Sequence, residues 1–310
     1  MSAPLYIGPA GWSYPDWNAT VYPPKKPKGF DPLEFLTAYF NLIEINSTFY
    51  RVPAVSTVRS WAERVVGAPD FRFTLKLHRD FTHETGPIDA RKVEVFKRSV
   101  APLHDAGRLL CILSQFPWSF RNTSPNRRRL EELIEALKPF PLAVEVRHGG
   151  WAGGGAVDDL SRRGAIVCSI DQPTIGDSLE FTRLAAGEAA GEYFRLHGRN
   201  KSEWFRAGTN RDLRYNYFYS QGELEKLAAP IRTAAETARQ VVVVLNNHFR
   251  GQAVANALEL KSMLTGIKVE VPETLLVGYP RLGPIALPDP NARPDEGWLF
   301  GPESTGENDE

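Results

Sequence analysis

The stretch Leu42-Ile-Glu-Ile-Asn-Ser-Thr-Phe-Tyr-Arg51 decides how the rest of the chain is read. It begins as a strand, with Leu42, Ile43 and Ile45 alternating against Glu44, Asn46 and Thr48. Successive side chains of a strand point to opposite faces, so the three polar groups share one side. The pattern recurs along the chain. Thr74, Lys76 and His78 alternate with Phe73, Leu75 and Leu77, Glu145 and Arg147 with Val144 and Val146, and Arg195 and His197 with Phe194 and Leu196.

The recurrence predicts eight strands: Leu5–Ser13, Leu42–Arg51, Phe71–His78, Leu109–Phe116, Leu142–His148, Ala165–Asp171, Tyr193–His197 and Val241–Asn247. Helical segments lie between them. Asp31-Pro32-Leu33-Glu34 carries an N-cap, a first-turn proline and a capping-box glutamate, and predicts a helix to about Phe40. A helix carrying Trp61 and Val65 follows Pro53. Further helices are expected over Asp89–Ala106, closed by Gly107, and over Ser124–Leu137. Two more are expected over Gly222–Arg239, interrupted by Pro230, and over Gly251–Leu264. Strands alternating with helices make an α/β protein with a parallel sheet, and eight units in 310 residues favour a closed (β/α)8 TIM-like barrel. A doubly wound sheet lacks its glycine fingerprint here. Residues 1–288 are expected to form one barrel domain, Thr174–Gly191 to lack a long helix, and 289–310 to be a disordered acidic tail.

Lysine plus arginine and aspartate plus glutamate both number 37, so no global field advertises a polyanionic partner. Cys111 and Cys168 sit in apolar runs without metal or redox spacing, as small buried residues of a reducing compartment do. No apolar run reaches the roughly 20 residues of a membrane span. Met1–Pro9 lacks the charge pattern of a signal peptide, so a cytoplasmic protein without a membrane partner is expected.

In a barrel of this class the reactive face is built from the C-terminal ends of the strands. The polar side chains gathered there read in two ways. They could form a self-satisfying ion-pair network that plugs the barrel, or a polar ligand site. As a site, Glu44, Lys76, Glu145 and His197 are the candidate acid/base groups. Asn46, Thr48, Tyr50, Gln115, Arg147, Asp171, Arg195, Arg199 and Asn246 would then bind the substrate. Arginines suit phosphate or carboxylate, so a small anionic ligand is the expected partner. A metal on Glu44, Glu145, Asp171 and His197 is chemically possible, but neighbouring cations would repel it, and no cofactor is indicated. Arg199–Tyr219 mixes Arg199, Lys201, Arg206, Arg211 and Arg214 with Trp204, Phe205, Tyr215, Tyr217, Phe218 and Tyr219. Such a segment can close over the mouth as a lid, can simply anchor a long loop by its rings, or can hold a nucleic-acid strand by phosphate contact and stacking.

Seven motifs resemble the YecE-like family, also called domain of unknown function 72. They are GWSYPDW (Gly11–Trp17), EINSTFYRVP (Glu44–Pro53), FTLKLHRDFTH (Phe73–His83), LSQFPWSF (Leu113–Phe120), VEVRHGGW (Val144–Trp151), FRLHGRN (Phe194–Asn200) and LNNHFRG (Leu245–Gly251). The resemblance implies a TIM-like barrel and supplies no activity. Likeness of such barrels to sugar isomerases and abasic-site nucleases carries metal and nucleic-acid roles by fold-level analogy alone.

Overall fold

A computed structural model describes residues 3–184, 191–204 and 211–287. The expected tail, and Phe205 and Arg206 of the basic-aromatic segment, lie outside them. Eight parallel strands form one sheet: β1 Leu5–Pro9, β2 Leu42–Ile45, β3 Arg72–Lys76, β4 Leu109–Gln115, β5 Leu142–Glu145, β6 Ile166–Asp171, β7 Glu192–Leu196 and β8 Val241–Leu245. Neighbours follow chain order from β2 to β8, and β8 returns to pair with β1, placing Leu5 beside Val241. The helices surround the strands, so this is a single TIM-like (β/α)8 barrel, nearly closed.

Closure between β1 and β2 is made mostly by side-chain and irregular contacts. The Asn41 amide stands where a ladder would run: its Oδ1 accepts from Ile7 N at 3.0 Å and its Nδ2 donates to Leu5 O at 2.8 Å. Above it Gly11 N donates to Glu44 O at 2.8 Å. The strands approach so closely that a Cβ on Gly8 would lie 1.8 Å from the Leu42 carbonyl oxygen. Only glycine fits there.

The expected strands are found, each ending one to six residues sooner at its C-terminal side except β6. The main departure is at the stretch that opened the reading. β2 stops at Ile45, and Ser47–Phe49 forms a 3₁₀ turn. Thr48 consequently leaves the alternating face, and its hydroxyl donates to Lys76 O at 2.6 Å, tying β2 to β3. Helix α1 (Pro32–Thr37) is capped by the Asp31 carboxylate as expected, but ends before Phe40. The next helices are α2 (Val55–Arg64), the single turn α3 (Arg79–Thr82), α4 (Ala90–Asp105) and α5 (Ser124–Leu137). The short α6 (Ala156–Arg162) was not expected. Thr174–Leu184 carries no helix.

After β7 come the single turns α7 (Lys201–Trp204) and α8 (Arg211–Arg214), then α9 (Gln221–Thr237). Pro230 does not interrupt α9. Lys226, whose carbonyl loses its partner to the proline ring, is exposed to water that can replace it. Finally α10 (Gln252–Thr265) packs against β1 and β8, followed by a two-residue strand, α11 (Glu273–Gly278) and a second short strand pairing with the first.

Candidate active site

The face of β7 that alternation assigned inward does point into the barrel. Tyr193, Arg195 and His197 are all fully buried, at 0% exposure. Arg195 is the hub. Its Nε and Nη2 grip the Glu44 carboxylate at 2.9 and 2.6 Å. Its Nη1 bonds Glu145 Oε2 and, at 3.2 Å, Gln115 Oε1. The Tyr193 hydroxyl donates to Glu44 Oε2 at 2.6 Å and lies 2.9 Å from the Thr74 hydroxyl. Glu145 also receives Arg147 Nε at 2.9 Å and Nη2 at 2.8 Å. Burial disfavours its charge, but Arg195 above all, then His197 and Arg147, hold its pKa well below the usual range.

His197 completes this layer. Nδ1 accepts from Asn246 Nδ2 at 3.0 Å, and Nε2 lies 3.3 Å from Glu145 Oε1. That arrangement suits a neutral ring carrying its proton on Nε2. Burial pushes the ring pKa down to about 3, against the pull of Glu145. Glu44, Glu145, Arg195 and His197 therefore form a fully buried, mutually satisfied network inside the barrel. To one side, Arg199 grips Asp171 through Nε and Nη2 at 2.7–3.0 Å, and Tyr219 donates to the same carboxylate at 2.5 Å.

Above the network the mouth opens into two cavities of about 310 Å³ each, both lined by Tyr215. The first is bordered by Lys76, Asn46, Tyr50, Asn246, His248 and Tyr14, among others. Tyr14 is fixed by its hydroxyl on Ala10 O at 2.7 Å and stacks on His248, with ring centroids 4.4 Å apart. The Lys76 ammonium sits 4.3 Å above the Phe49 ring, with no hydrogen bond or ion pair to any described residue. Burial first, and then Arg195, lower its pKa from 10.5 to about 7, even though Glu145 and Glu44 pull the other way. The second cavity is lined by Gln115, Trp118, Arg147, Trp204 and Arg214, among others, and no carboxylate of the described residues borders it.

The structure thus sorts the expected residues by depth. Asn46, Tyr50, Lys76 and Asn246 reach the first cavity, and Gln115 and Arg147 the second. Glu44, Glu145, Arg195 and His197 are sealed beneath, and Thr48 is a strand tie. The guanidiniums of Arg195 and Arg199, expected to receive an anion, are engaged by carboxylates of the chain itself. Glu44, Glu145, Asp171 and His197 do not converge on one point, and among the described residues no three His, Cys, Asp or Glu side chains could hold a metal ion.

The sequence reading passed over Ser13, Tyr14, Ser47 and Trp118. All four follow a strand end within three motifs already singled out, GWSYPDW, EINSTFYRVP and LSQFPWSF, which was the available signal. In the basic-aromatic segment, Trp204 packs edge-on to His197 and Tyr215, and Phe218 on Tyr279 and the Arg281 guanidinium. These rings pack within the chain, as either a lid or an anchored loop would have them.

A family model described as "Protein of unknown function DUF72" matches residues 6–275. The chain is 28% identical over 272 residues to the UPF0759 protein YunF of Bacillus subtilis (strain 168), covering 84% of this chain and 94% of that one. It is 29% identical over 173 residues to the UPF0759 protein YecE of Escherichia coli O157:H7, covering 54% and 57%. A solved DUF72 family protein, TM1631 of Thermotoga maritima MSB8, superposes with a TM-score of 0.74 at 32% identity, over 84% of this chain and 99% of that one. A second, EF0366 of Enterococcus faecalis V583, shares the fold with a TM-score of 0.74 at 23% identity, over 87% and 98%. No helix among the described residues is long and apolar enough to cross a membrane.

Proposed function

The chain belongs to the DUF72 family, and on that footing we propose that it is an enzyme acting by acid/base chemistry on a small anionic substrate at the C-terminal mouth of its barrel, with Lys76 as the proton-transfer group. The observation that carries this reading is the Lys76 amine, which lines an open cavity at the end of β3 without hydrogen bond or ion pair. The neighbouring carboxylates are all committed to arginines. A pKa near 7 leaves the amine half neutral at physiological pH, so it can take a proton from a bound molecule and return it. Asn46, Asn246 and Tyr50 border the same space and can orient the substrate. The buried network holds Lys76 from below. Arg195 disfavours its charge, while Glu44 and Glu145 limit how far the pKa falls.

Two measurements test this together. The Lys76 pKa is read by NMR after ¹³C-methylation of the lysines, with Lys76→Met identifying the resonance; titration near 7 is expected. A panel of small phosphorylated and carboxylated carbonyl compounds is then incubated in D₂O, and Lys76-dependent deuterium incorporation is sought by mass spectrometry. An ordinary lysine pKa, with no exchange that Lys76→Met abolishes, would sink the proposal.

A further inference from the structure

The second cavity at the mouth gathers several side chains that can only donate, with no carboxylate of the described residues at its wall. The indole Nε1 of Trp118 is buried with no partner among the described residues, and so is the Nε of Arg214. An indole nitrogen and a guanidinium can only donate. Arg147 uses Nε and Nη2 on Glu145, which leaves its Nη1 uncommitted among the described residues, on a side chain that lines the cavity. Gln115 has its amide oxygen held by Arg195, which fixes its NH₂ as a further donor at the wall.

His148 packs against Trp118 with ring centroids 5.1 Å apart, outside the cavity wall. Its Nδ1 accepts from Gly150 N at 3.0 Å, which places the proton on Nε2, and that nitrogen is buried without a partner among the described residues. Buried donors in folded proteins are normally satisfied, so several around one space call for an acceptor that belongs there. A water molecule can serve one or two of them. Two guanidinium side chains and the Gln115 amide at one wall, with no carboxylate beside them, select a group with many lone pairs and negative charge.

We propose that the cavity between Trp118, Arg147 and Arg214 is a phosphate-binding subsite, which anchors the phosphate of a small phosphorylated substrate while the rest of the molecule passes Tyr215 to Lys76. The inference rests on the Lys76 reading for the role of the bound molecule, but not for the binding itself. Arg214 sits on α8, so the anion would also tie that turn to the cavity wall.

The test is calorimetric titration of the full chain with inorganic phosphate at constant ionic strength, at pH 8. Saturable binding of one phosphate per chain is expected. Hydrogen bonds to a charged group are strong enough that Arg214→Gln should weaken binding about tenfold or more, and Trp118→Phe by roughly threefold to tenfold. Trp118→Phe keeps an aromatic ring in place, so it decides the matter if Arg214→Gln disturbs the segment. Absence of saturable binding, or binding that neither variant weakens, overturns the proposal, and acetate bound more tightly than phosphate overturns the assignment to phosphate. Lys76→Met should leave phosphate binding nearly unchanged. If it abolishes binding, the anion belongs to the first cavity and this inference fails while the Lys76 reading stands. Intact phosphate binding with no Lys76-dependent exchange would show the reverse.

Discussion

Replacing Arg195 with methionine tests whether the buried network is a structural keystone. The guanidinium is fully buried and holds both Glu44 oxygens. Without it, Glu44 keeps only the Tyr193 hydroxyl, whereas Glu145 still has Arg147 and His197. The cost is therefore set by one stranded carboxylate rather than two. Removing one partner of a buried pair costs about 3–5 kcal/mol. At roughly 2–4 °C per kcal/mol for a chain of this size, the melting temperature should fall by about 6–20 °C.

The stranded Glu44 should bind a proton more readily than it does in the unfolded chain. The folded state then holds more protons above the unfolded carboxyl pKa of about 4.3, and the stability of the variant falls as pH rises through that region. The gap between parent and variant should thus be wider at pH 8 than at pH 5. Urea unfolding followed by tryptophan fluorescence at both pH values measures it. Combining Arg195→Met with Glu44→Gln should recover part of the loss. A variant within about 1 kcal/mol of the parent, the scale of an exposed pair, with a gap that ignores pH, would refute the reasoning.

The remaining predictions concern the amine and the seam. Lys76→Met should stabilise the protein below pH 7. The folded pKa is depressed from 10.5 to about 7, so the unfolded chain binds the extra proton across that window and parent stability rises with pH through it. The shift caps the effect at about 5 kcal/mol, and solvent contact of the partly exposed side chain reduces it to about 1–3 kcal/mol. Thermal unfolding of both proteins from pH 6 to 10 should show the advantage shrinking as pH rises, and a constant difference would argue against the depressed pKa. Gly8→Ala drives a methyl group into the Leu42 carbonyl and should cost about 3 kcal/mol or more in urea unfolding. A neutral outcome would mean that the β1–β2 seam is looser than described.

The fold was legible because the alternation Tyr193-Phe194-Arg195-Leu196-His197 and its counterparts state which way each side chain faces. Depth and pairing were not legible. Arg195 and Arg147 share the same inward sense in their strands, yet one is sealed between two carboxylates and the other borders a cavity. That difference depends on how far each strand runs before it turns, and on which strand stands opposite across the barrel. Thr48 shows the first effect, since the chain turns at Asn46 and the period of two no longer applies. Glu44 shows the second, because its partners Tyr193 and Arg195 lie on β7, far along the chain and on another wall. Trp118 was hidden, and Arg214, named within the basic-aromatic segment, could not be placed at this cavity, for a related reason. Single donors in loops carry no periodic signal, and only the folded chain shows that they lack acceptors around one space.

The Asn41 amide that joins β1 to β2 also marks where this barrel would come apart. Every other junction is a backbone ladder of two or more register pairs, whereas this one has a single parallel bridge at Ala10 and Glu44 and otherwise leans on a side chain that a rotamer change can withdraw. Opening there would turn a structure with almost no free edges into a curled sheet with two, β1 on one side and β2 on the other. Unpaired strand edges recruit other strands, so the species released would be prone to self-association while most of its sheet was still intact. In this chain the seam held by Asn41 and the single bridge above it is where such an opening would cost least.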